Sequence, residues 1–335
     1  MSRQTCVAVI GGGSWGTTVA SLTARNAATI LWSRRPGVAE EIERDHVNSE
    51  YLPGEQLDPA LHATSDLQRA VEQADVLVMA VPSHGFRDVI AEAVPYIRPG
   101  VPIVSLTKGL ERGTHLRMTE VVEELLPRHP AGVLAGPNLA REIIEGYAAA
   151  AVLAMPEERM SIALQGIFTR TVFRIYASTD VCGVEVAGAL KNVFAIAAGM
   201  AAGLGTGDNT RALVIARSLA EMTRLGVAMG GDRHTFAGLA GMGDLLATCI
   251  SPLSRNRSVG EELAKGRTLN EITEEMQMVA EGIKTSRVVM ELGERYELEL
   301  PIAREVDGVV NEGRPAQDAF RGLLRMRPTT ELQAG

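Results

Sequence analysis

Short apolar runs alternate with helical stretches through the first half of the chain. The runs that predict β-strands are residues 6–11 (CVAVIG), 29–33 (TILWS), 76–81 (VLVMAV), 102–106 (PIVSL), 132–136 (GVLAG), 150–155 (AAVLAM) and 173–177 (FRIYA). Apolar residues at helical spacing predict helices over residues 16–27, 114–126 and 157–169. Strands that are apolar along their whole length are typical of a parallel sheet with helices on both faces. The pattern therefore predicts a doubly wound α/β domain with a mainly parallel sheet over residues 1–180.

The pattern changes near residue 180, where strand-like runs give way to helical periodicity with short Gly or Pro breaks. This predicts an all-α domain over residues 181–335. Its most apolar stretch, residues 186–204, is interrupted by Lys191 and Asn192 and is too short to cross a bilayer comfortably, so we expect a buried central helix. The segment GLGTGDN (203–209) follows no strand, which predicts a connection between helices with Asp208 or Asn209 as the N-cap.

Composition narrows the classes of function. The 335 residues carry 33 basic and 41 acidic side chains, a net charge of −8, which argues against nucleic acid or an anionic membrane as partner. Three dispersed cysteines without a CxxC pair, and six histidines without ligand spacing, indicate a reducing compartment and no metal. The N-terminus lacks the layout of a signal peptide. We therefore expect a cytoplasmic protein with no membrane insertion.

A glycine-rich turn follows the first predicted strand and leads directly into a helix. Its sequence GGGSWG places Gly11, Gly13 and Gly16 in the G-x-G-x-x-G pattern. Such glycines allow a tight turn, close approach of the backbone to a pyrophosphate, and close packing of helix on strand, while the helix N-terminus offers N–H groups to the anion. The pattern alone is weak and also fits a structural turn. The surrounding strand, turn, helix and second strand favour a Rossmann-like dinucleotide-binding domain.

The end of the second predicted strand bears on which dinucleotide is bound. An acidic residue there usually accepts from the ribose hydroxyls of NAD, but this chain has Ser33, Arg34 and Arg35. Two guanidinium groups can pair with the 2′-phosphate of NADP. The alternative is two solvated arginines, so NADP(H) and NAD(H) both stay open, with NADP(H) favoured.

Two lysines stand out by position. Lys191 lies in the most apolar predicted helix, where an ammonium group must be paired, functional, or able to reach the surface; a lysine so placed can act as a proton donor. Lys108 follows the strand PIVSL at the carboxyl edge of the predicted sheet, where ligands of such folds bind. A loop lysine at the surface is the alternative there.

Two segments of the helical half carry polar residues of less certain meaning. Asp244 lies in GMGDLLATC, and Ser254–Arg257 reads SRNR. An SRNR run is often a solvated turn, yet it can also open a helix and bind a phosphate through N–H groups and a guanidinium. Spacing alone leaves both alternatives open.

Eight segments taken together carry a resemblance. They are GGGSWGTTVA, VPSHGFRDV, TKGLE, AGPNLAREI, GVEVAGALKNVFAIAAG, GLAGMGDLLATC, SRNR and VAEG. In this order, and over nearly the whole chain, the set resembles the bacterial type of NAD(P)-dependent glycerol-3-phosphate dehydrogenase. The resemblance implies a Rossmann-like domain followed by a helical domain, and a cytoplasmic homodimer. It also implies NAD(P)H-dependent, reversible reduction of dihydroxyacetone phosphate to sn-glycerol 3-phosphate for glycerophospholipid synthesis.

The resemblance also implies roles for individual residues. Lys191 matches the proton donor and acceptor, with Lys108 and Asp244 as the other catalytic residues. The positions that match the substrate site are Lys108, Gly136, Asn138, Lys191, Asn192, Asp244, Thr248, Ser254, Arg255 and Asn256. The positions that match the cofactor site are Gly11, Gly13, Ser14, Trp15, Gly16, Arg34, Arg35, Lys108, Ala140, Arg255, Val279 and Glu281.

One position departs from the family pattern, and two other classes of protein remain as alternatives. Asn138 stands where many bacterial members carry Ser or Thr. An amide both donates and accepts, so binding should survive, and only the particular partner of Asn138 stays open. A hydroxyacid or 6-phosphogluconate type of dehydrogenase shares the predicted domains, but TKGLE and SRNR favour the glycerol phosphate type. A catalytically silent NADP sensor is the other alternative, against which Lys108, Lys191 and Asp244 argue.

Overall fold

The computed structural model describes residues 4–276 and 280–324, apart from the side chains of Phe320, Leu323 and Leu324. The chain divides into two compact units. The first comprises Met1–Glu111 and Leu116–Val181, and the second comprises Arg112–His115 and Cys182–Gly335.

The first unit is built on an eight-stranded sheet with helices on both faces. The strands of this sheet are β1 (Cys6–Ile10), β2 (Ala28–Trp32), β5 (Leu61–Thr64), β6 (Val76–Met79), β7 (Ile103–Ser105), β8 (Ala131–Ala135), β9 (Ala149–Ala154) and β10 (Phe173–Ser178). Two further strands, β3 (Val47–Asn48) and β4 (Leu52–Gln56), form a small antiparallel hairpin. The order in the sheet is β10-β9-β8-β7-β6-β1-β2-β5. All neighbours are parallel except β8 and β9.

The helices of the first unit cover both faces of this sheet. They are α1 (Ser14–Ala24), α2 (Pro36–Asp45), α3 (Leu67–Val71), α4 (Ser83–Ala93) with a 3-10 turn (Val94–Tyr96), α5 (Met118–Leu125), α6 (Ala140–Ile144) and α7 (Glu158–Phe168). Strand β1 shows why both faces are apolar: Val7 and Val9 enter one core and Ala8 and Ile10 the other, all fully buried. The predicted doubly wound fold is confirmed.

The seven predicted strands are confirmed to within two residues at either end. The hairpin and β5 were not predicted. The predicted helix over 114–126 begins only at Met118, because residues 112–115 belong to the second unit and Gly113 and His115 have left-handed φ angles of 84° and 62°.

The described part of the second unit is helical, as predicted. Its helices are α8 (Val181–Gly203), α9 (Asp208–Ala228), α10 (Arg233–Ala237), a π-helical turn (Leu239–Gly243), α11 (Asp244–Ile250), α12 (Arg255–Ala264), α13 (Leu269–Glu275), α14 (Glu281–Arg295), α15 (Pro301–Glu312) and α16 (Ala316–Leu324). The expected buried central helix is α8. It is the one described helix with the length and composition of a membrane span, and 89% of its apolar window is buried in the protein.

The predicted N-cap of α9 was wrong. Gly207 occupies that position in extended conformation, and Asp208 is the first helical residue. Glycine at the cap leaves the helix start without a side-chain hydrogen bond, and Asp208 instead faces the partial positive charge of the first turn.

Helices α8 and α12 touch through their backbones. A Cβ atom on Gly199 would lie 2.0 Å from the carbonyl oxygen of Arg257, and one on Gly260 would lie 2.1 Å from that of Ile196. One turn further on, a Cβ on Gly203 would lie 2.7 Å from the Glu261 carbonyl. We call these three glycines the glycine contact. They fix the first two turns of α12 against the C-terminal part of α8.

Candidate active site

The glycine turn has the shape that its sequence predicts. Gly11 has φ 129°, and a Cβ there would lie 2.5 Å from the carbonyl oxygen of Ala80. A Cβ on Gly16 would lie 2.1 Å from the Gly11 carbonyl, so this glycine lets α1 pack on the turn. A Cβ on Gly13 would meet nothing within 4 Å, and Gly13 caps α1 without a side-chain hydrogen bond. Open space therefore lies before the uncapped N–H groups of the helix, which suits a pyrophosphate.

A buried asparagine that the sequence analysis missed holds this turn. Asn48 is fully buried in β3, and its Nδ2 donates to the Gly12 carbonyl and to Thr17 Oγ1, both at 2.9 Å. Its Oδ1 accepts from the Tyr51 amide at 3.2 Å. The predicted cofactor residue Ser14 is tied to the same segment, since its hydroxyl donates to the Tyr51 carbonyl at 2.9 Å. Asn48 lies in a two-residue strand, which carries no periodicity that could have revealed it.

The two arginines after β2 differ in their surroundings. Arg35 forms an ion pair with Glu50, and a hydrogen bond with Tyr51 together with the Glu50 charge raises its pKa. Arg34 is exposed and has no hydrogen bond or ion pair within the described residues. A carboxylate therefore already satisfies part of Arg35, and Arg34 is the guanidinium available for a phosphate.

Lys108 points towards the turn that follows β8. Its Nζ donates to the Gly136 carbonyl at 2.9 Å. Gly136 has φ 153°, and a Cβ there would lie 2.9 Å from Cα of Ala151 in β9. Only glycine fits this turn, which leaves its carbonyl within reach of the lysine.

The predicted positions beyond this turn carry polar atoms without protein partners. Both amide atoms of Asn138 are buried and form no hydrogen bond within the described residues, and the same is true of Nε1 of Trp15. The Trp15 ring packs edge-on against Phe173, with centroids 6.0 Å apart. Ala140 is the first residue of α6. Buried polar atoms left unsatisfied by the protein are typical of ligand sites, and Asn138 fits that description best.

In the second unit, the predicted catalytic lysine lies at the centre of a buried polar cluster. Lys191 of α8 donates from Nζ to Asp244 Oδ1 at 2.5 Å and to Thr248 Oγ1 at 2.6 Å. The side chains of Lys191 and Asp244 are only 8% and 1% exposed. Thr248 donates its own proton to the Asp244 carbonyl at 2.6 Å. The structure thus brings together three predicted residues from α8 and α11, and the lysine is paired rather than extended to the surface.

The π-helical turn before α11 places Asp244. One extra residue per turn shifts the side chains that follow, and such turns are frequent at functional sites. Asp244 becomes the first residue of α11, and Thr248 follows one turn later on the same face. Cys249 follows Thr248 in α11, and burial raises the pKa of its thiol to about 12.

A second buried chain of hydrogen bonds links the starts of α12 and α14 to α8. Asn256 donates from Nδ2 to Asn192 Oδ1 and accepts at Oδ1 from the Gly282 amide, both at 2.9 Å. Gly282 follows Glu281, the first residue of α14. Of the predicted cofactor residues, Val279 lies outside the described residues. Both side-chain polar atoms of Asn256, a residue predicted to bind substrate, therefore already form a hydrogen bond within the protein.

The structure places the SRNR segment at the start of helix α12. Ser254 is the buried N-cap of α12, and its hydroxyl accepts from the Arg257 amide at 3.3 Å. The Arg255 side chain is exposed to solvent. Incomplete hydration nevertheless lowers the pKa of Arg255, and the charge of Glu281 acts in the opposite direction. Arg255 is the first residue of this ten-residue helix.

The fold and these side chains define a class of protein. A glycine turn at the switch point of a doubly wound sheet is the arrangement that binds dinucleotides. A buried lysine paired with a carboxylate is a residue type that can serve as a general acid. The glycine turn and the buried lysine together are typical of a nicotinamide-dependent oxidoreductase.

Comparisons with known proteins narrow the class. The family profile described as NAD-dependent glycerol-3-phosphate dehydrogenase N-terminus matches residues 6–161, and the corresponding C-terminus profile matches residues 180–321. Glycerol-3-phosphate dehydrogenase [NAD(P)+] of Mycobacterium avium is 56% identical over 331 residues, covering 98% of this chain and 97% of the relative. The type 2 enzyme of Sphingopyxis alaskensis is 57% identical over 329 residues, covering 98% and 99%. The crystal structure of glycerol-3-phosphate dehydrogenase from Coxiella burnetii superposes with a TM-score of 0.92 at 35% identity, covering 96% of this chain and 99% of that one.

The chain belongs to the NAD-dependent glycerol-3-phosphate dehydrogenase family. The resemblance drawn from the eight sequence segments is confirmed.

Proposed function

We propose that this protein catalyses the reversible reduction of dihydroxyacetone phosphate to sn-glycerol 3-phosphate with NADPH or NADH, and so supplies glycerophospholipid synthesis. The relatives carry this activity in their names. The observation that carries the proposal is the buried cluster around Lys191. An ammonium group has three N–H donors, and Asp244 and Thr248 accept two of them, which leaves one for the oxygen of a substrate.

The proton chemistry follows from this cluster. In the reducing direction, Lys191 Nζ donates its remaining N–H to the carbonyl oxygen and then transfers the proton as negative charge develops there. In the oxidising direction, neutral Lys191 accepts the proton from the alcohol. Asp244 stabilises the ammonium form at 2.5 Å, and Thr248 orients Nζ because its own hydroxyl proton is committed to the helix carbonyl.

The residues of the first unit fit a nicotinamide dinucleotide. The space before Gly13 and the uncapped start of α1 would hold the pyrophosphate, with Arg34 for a 2′-phosphate. Ser14, Trp15 and Ala140 would border the cofactor. When bound, the cofactor supplies the hydride. The unpaired amide of Asn138 would hydrogen-bond a bound ligand, and Lys108 with the Gly136 turn would orient the substrate hydroxyls.

The start of α12 supports a phosphate site. A net-negative protein must concentrate positive groups to hold a dianion, and Arg255 stands beside the N–H groups of a helix start. Ser254 shapes this start, and Asn256 fixes it to α8 and α14 while keeping one N–H. Glu281, close enough to act on the charge of Arg255, would contact the cofactor.

The finer assignments complete the proposal. Residues 1–180 form the dinucleotide-binding domain, and residues 181–335 form the helical substrate-binding and catalytic domain. The protein works in the cytoplasm as a homodimer, without insertion into a membrane, without a metal and without nucleic acid.

The reaction is tested by mixing the protein with NADPH and dihydroxyacetone phosphate and following nicotinamide absorbance. We expect oxidation of NADPH that depends on both substrates, and little with unphosphorylated dihydroxyacetone. A 2-hydroxyacid or 6-phosphogluconate dehydrogenase would instead act on its own substrate, and a silent sensor would bind NADPH without turnover.

The phosphate site is tested by Arg255→Ala. If bound substrate buries the pair, loss of this charge-assisted bond should cost about 2 kcal/mol or more of binding free energy and raise KM for dihydroxyacetone phosphate roughly 30-fold. Unphosphorylated dihydroxyacetone should lose much less. NADPH affinity is measured in parallel, because Arg255 is also expected to contact the cofactor. A variant that discriminates between the two substrates as strongly as wild type would move the phosphate site elsewhere, with Lys108 and the Gly136 turn next in line.

A further inference from the structure

A two-pronged ion pair joins helix α4 to the loop that carries Lys108. Arg87 lies in α4, within VPSHGFRDV, and Glu111 is the last residue of TKGLE. Arg87 Nε donates to Glu111 Oε1 at 2.7 Å, and Nη2 donates to Oε2 at 2.8 Å. Two parallel hydrogen bonds thus join the guanidinium group to the carboxylate, a geometry that gives such pairs both strength and a fixed orientation.

The pair is sheltered from solvent and has a third member. The Glu111 side chain is 15% exposed and that of Arg87 is 33% exposed. Nη2 of Arg87 also donates to Glu124 of α5 at 2.7 Å, but Glu124 is 53% exposed. The hydrogen bonds to Glu111, and then those to Glu124, raise the pKa of Arg87. Because solvent screens exposed pairs, Glu111 is the stronger partner.

This pair closes one end of the loop between β7 and α5. At the other end, Thr107 Oγ1 donates to the Val81 carbonyl at 2.7 Å. Leu110 is 4% exposed and so anchors the loop by burial just before Glu111. Lys108 therefore lies between two fixed points three to four residues apart, and its backbone has little freedom between them.

We infer that Arg87 is a positioning residue for the reaction: by gripping Glu111 it fixes the TKGLE loop, and thereby the place from which Lys108 reaches the Gly136 turn. The inference rests on the proposed role of Lys108. A lysine side chain has four flexible bonds, so its Nζ can be placed reproducibly only if its backbone is fixed. Misplacement of a positioning group by about 1 Å can cost on the order of 100-fold in rate.

The experiment compares four variants in the NADPH and dihydroxyacetone phosphate assay. Arg87→Met keeps the apolar stem and removes the guanidinium group that makes both hydrogen bonds to Glu111. We expect kcat/KM for dihydroxyacetone phosphate to fall by roughly 10- to 100-fold. Arg87→Lys keeps the positive charge but cannot form the two parallel hydrogen bonds, and it should recover part of the loss. Glu124→Gln is the matched control, because it removes the exposed partner alone, and should stay near wild type. NADPH affinity is measured in parallel, because Lys108 is also expected to contact the cofactor; in the two Arg87 variants it should fall no further than it does in Lys108→Ala.

The fourth variant, Lys108→Ala, distinguishes positioning from general stabilisation. If Arg87 acts through Lys108, Arg87→Met should add little to the loss already caused by Lys108→Ala. Fully additive losses in the double variant would overturn the inference, as would wild-type kinetics of Arg87→Met. Thermal midpoints show whether folding is affected, and Glu111→Gln, a substitution of equal size, repeats the test if Arg87→Met fails to fold.

The controls also separate this inference from the proposed function. Absence of turnover in the wild type would overturn the proposed reaction itself. Wild-type activity of Lys108→Ala would remove Lys108 from the site, and this inference with it, while leaving the reaction standing.

Discussion

Replacement of Lys191 by methionine should have two separable effects, one on stability and one on turnover. Methionine keeps most of the apolar stem that packs in α8 but removes the ammonium group. Asp244, 1% exposed and 2.5 Å from Nζ, then stays buried but loses the positive charge of Lys191. Breaking a buried pair in this way costs about 3–5 kcal/mol of the free energy of unfolding. Loss of the acid-base group should lower kcat by roughly 100- to 10,000-fold.

The double variant Lys191→Met with Asp244→Asn separates the two effects. Asparagine has nearly the shape of the aspartate but no charge to leave uncompensated, so most of the lost stability should return. Turnover should not return, because the proton donor is still missing. Denaturant midpoints of the wild type, both single variants and the double variant give the stability terms. Turnover at saturating NADPH and dihydroxyacetone phosphate gives the catalytic one.

If the double variant is no more stable than Lys191→Met, the buried charge is not what destabilises the single variant. If Lys191→Met keeps near-normal kcat, Lys191 is not the proton donor, and Lys108 becomes the leading candidate.

Three further predictions concern the cofactor, the helix packing and the pH dependence of stability. Arg34→Ala should weaken NADPH binding selectively over NADH and by more than Arg35→Ala, because Glu50 already pairs with Arg35; isothermal titration with both cofactors measures this. Gly260→Ala should cost about 3 kcal/mol of unfolding free energy because its Cβ would lie 2.1 Å from a carbonyl of α8, whereas Gly166→Ala, open on α7, should be neutral or stabilising by denaturant midpoint. Burial raises the pKa of Glu221 to about 7, so its contribution to stability is fully present below the unfolded value near 4.5 and is lost as pH rises through 7. Glu221→Gln should remove that slope between pH 5 and 8.

The contrary outcomes are equally definite. Equal losses of NADPH and NADH affinity would show that Arg34 does not recognise the 2′-phosphate. A Gly260→Ala variant as stable as wild type would mean that the two helices separate at little cost. An unchanged pH slope in Glu221→Gln would mean that this carboxyl titrates alike in the folded and unfolded chain.

The sequence predicted what depends on long apolar patterns and missed what depends on single contacts. The inner strands of the central sheet and helix α8 could be predicted because they are buried along most of their length, which requires an apolar residue at nearly every position. The strand β5 (Leu61–Thr64) escaped because it is an edge strand with an exposed His62. The N-cap of α9 was misplaced because Gly207, Asp208 and Asn209 all favour caps, and tertiary packing chooses among them.

The candidate site shows the same division. The glycine turn has a local signature, so its geometry could be anticipated, whereas the spacing of SRNR fitted both a solvated turn and a helix start. The partner of Lys191 could not, because Asp244 is 53 residues away along the chain and only folding brings them together. Asn48 and the engagement of Arg35 by Glu50 likewise arise from the hairpin region, where no sequence pattern predicts contacts.

The glycine contact sets the minimum separation of helices α8 and α12. Where helices meet through side chains, one methylene more or less shifts their separation, and a site between them can drift in size by mutation. Here the helices already meet at backbone atoms, so no side chain is left to trim. The span from Lys191 to the start of α12 therefore cannot be shortened at this contact. A mutation here can only push the two helices apart, at the stability cost expected for Gly260→Ala. On the proposed assignment of the substrate site, a preference for a shorter substrate would have to come from other parts of the site.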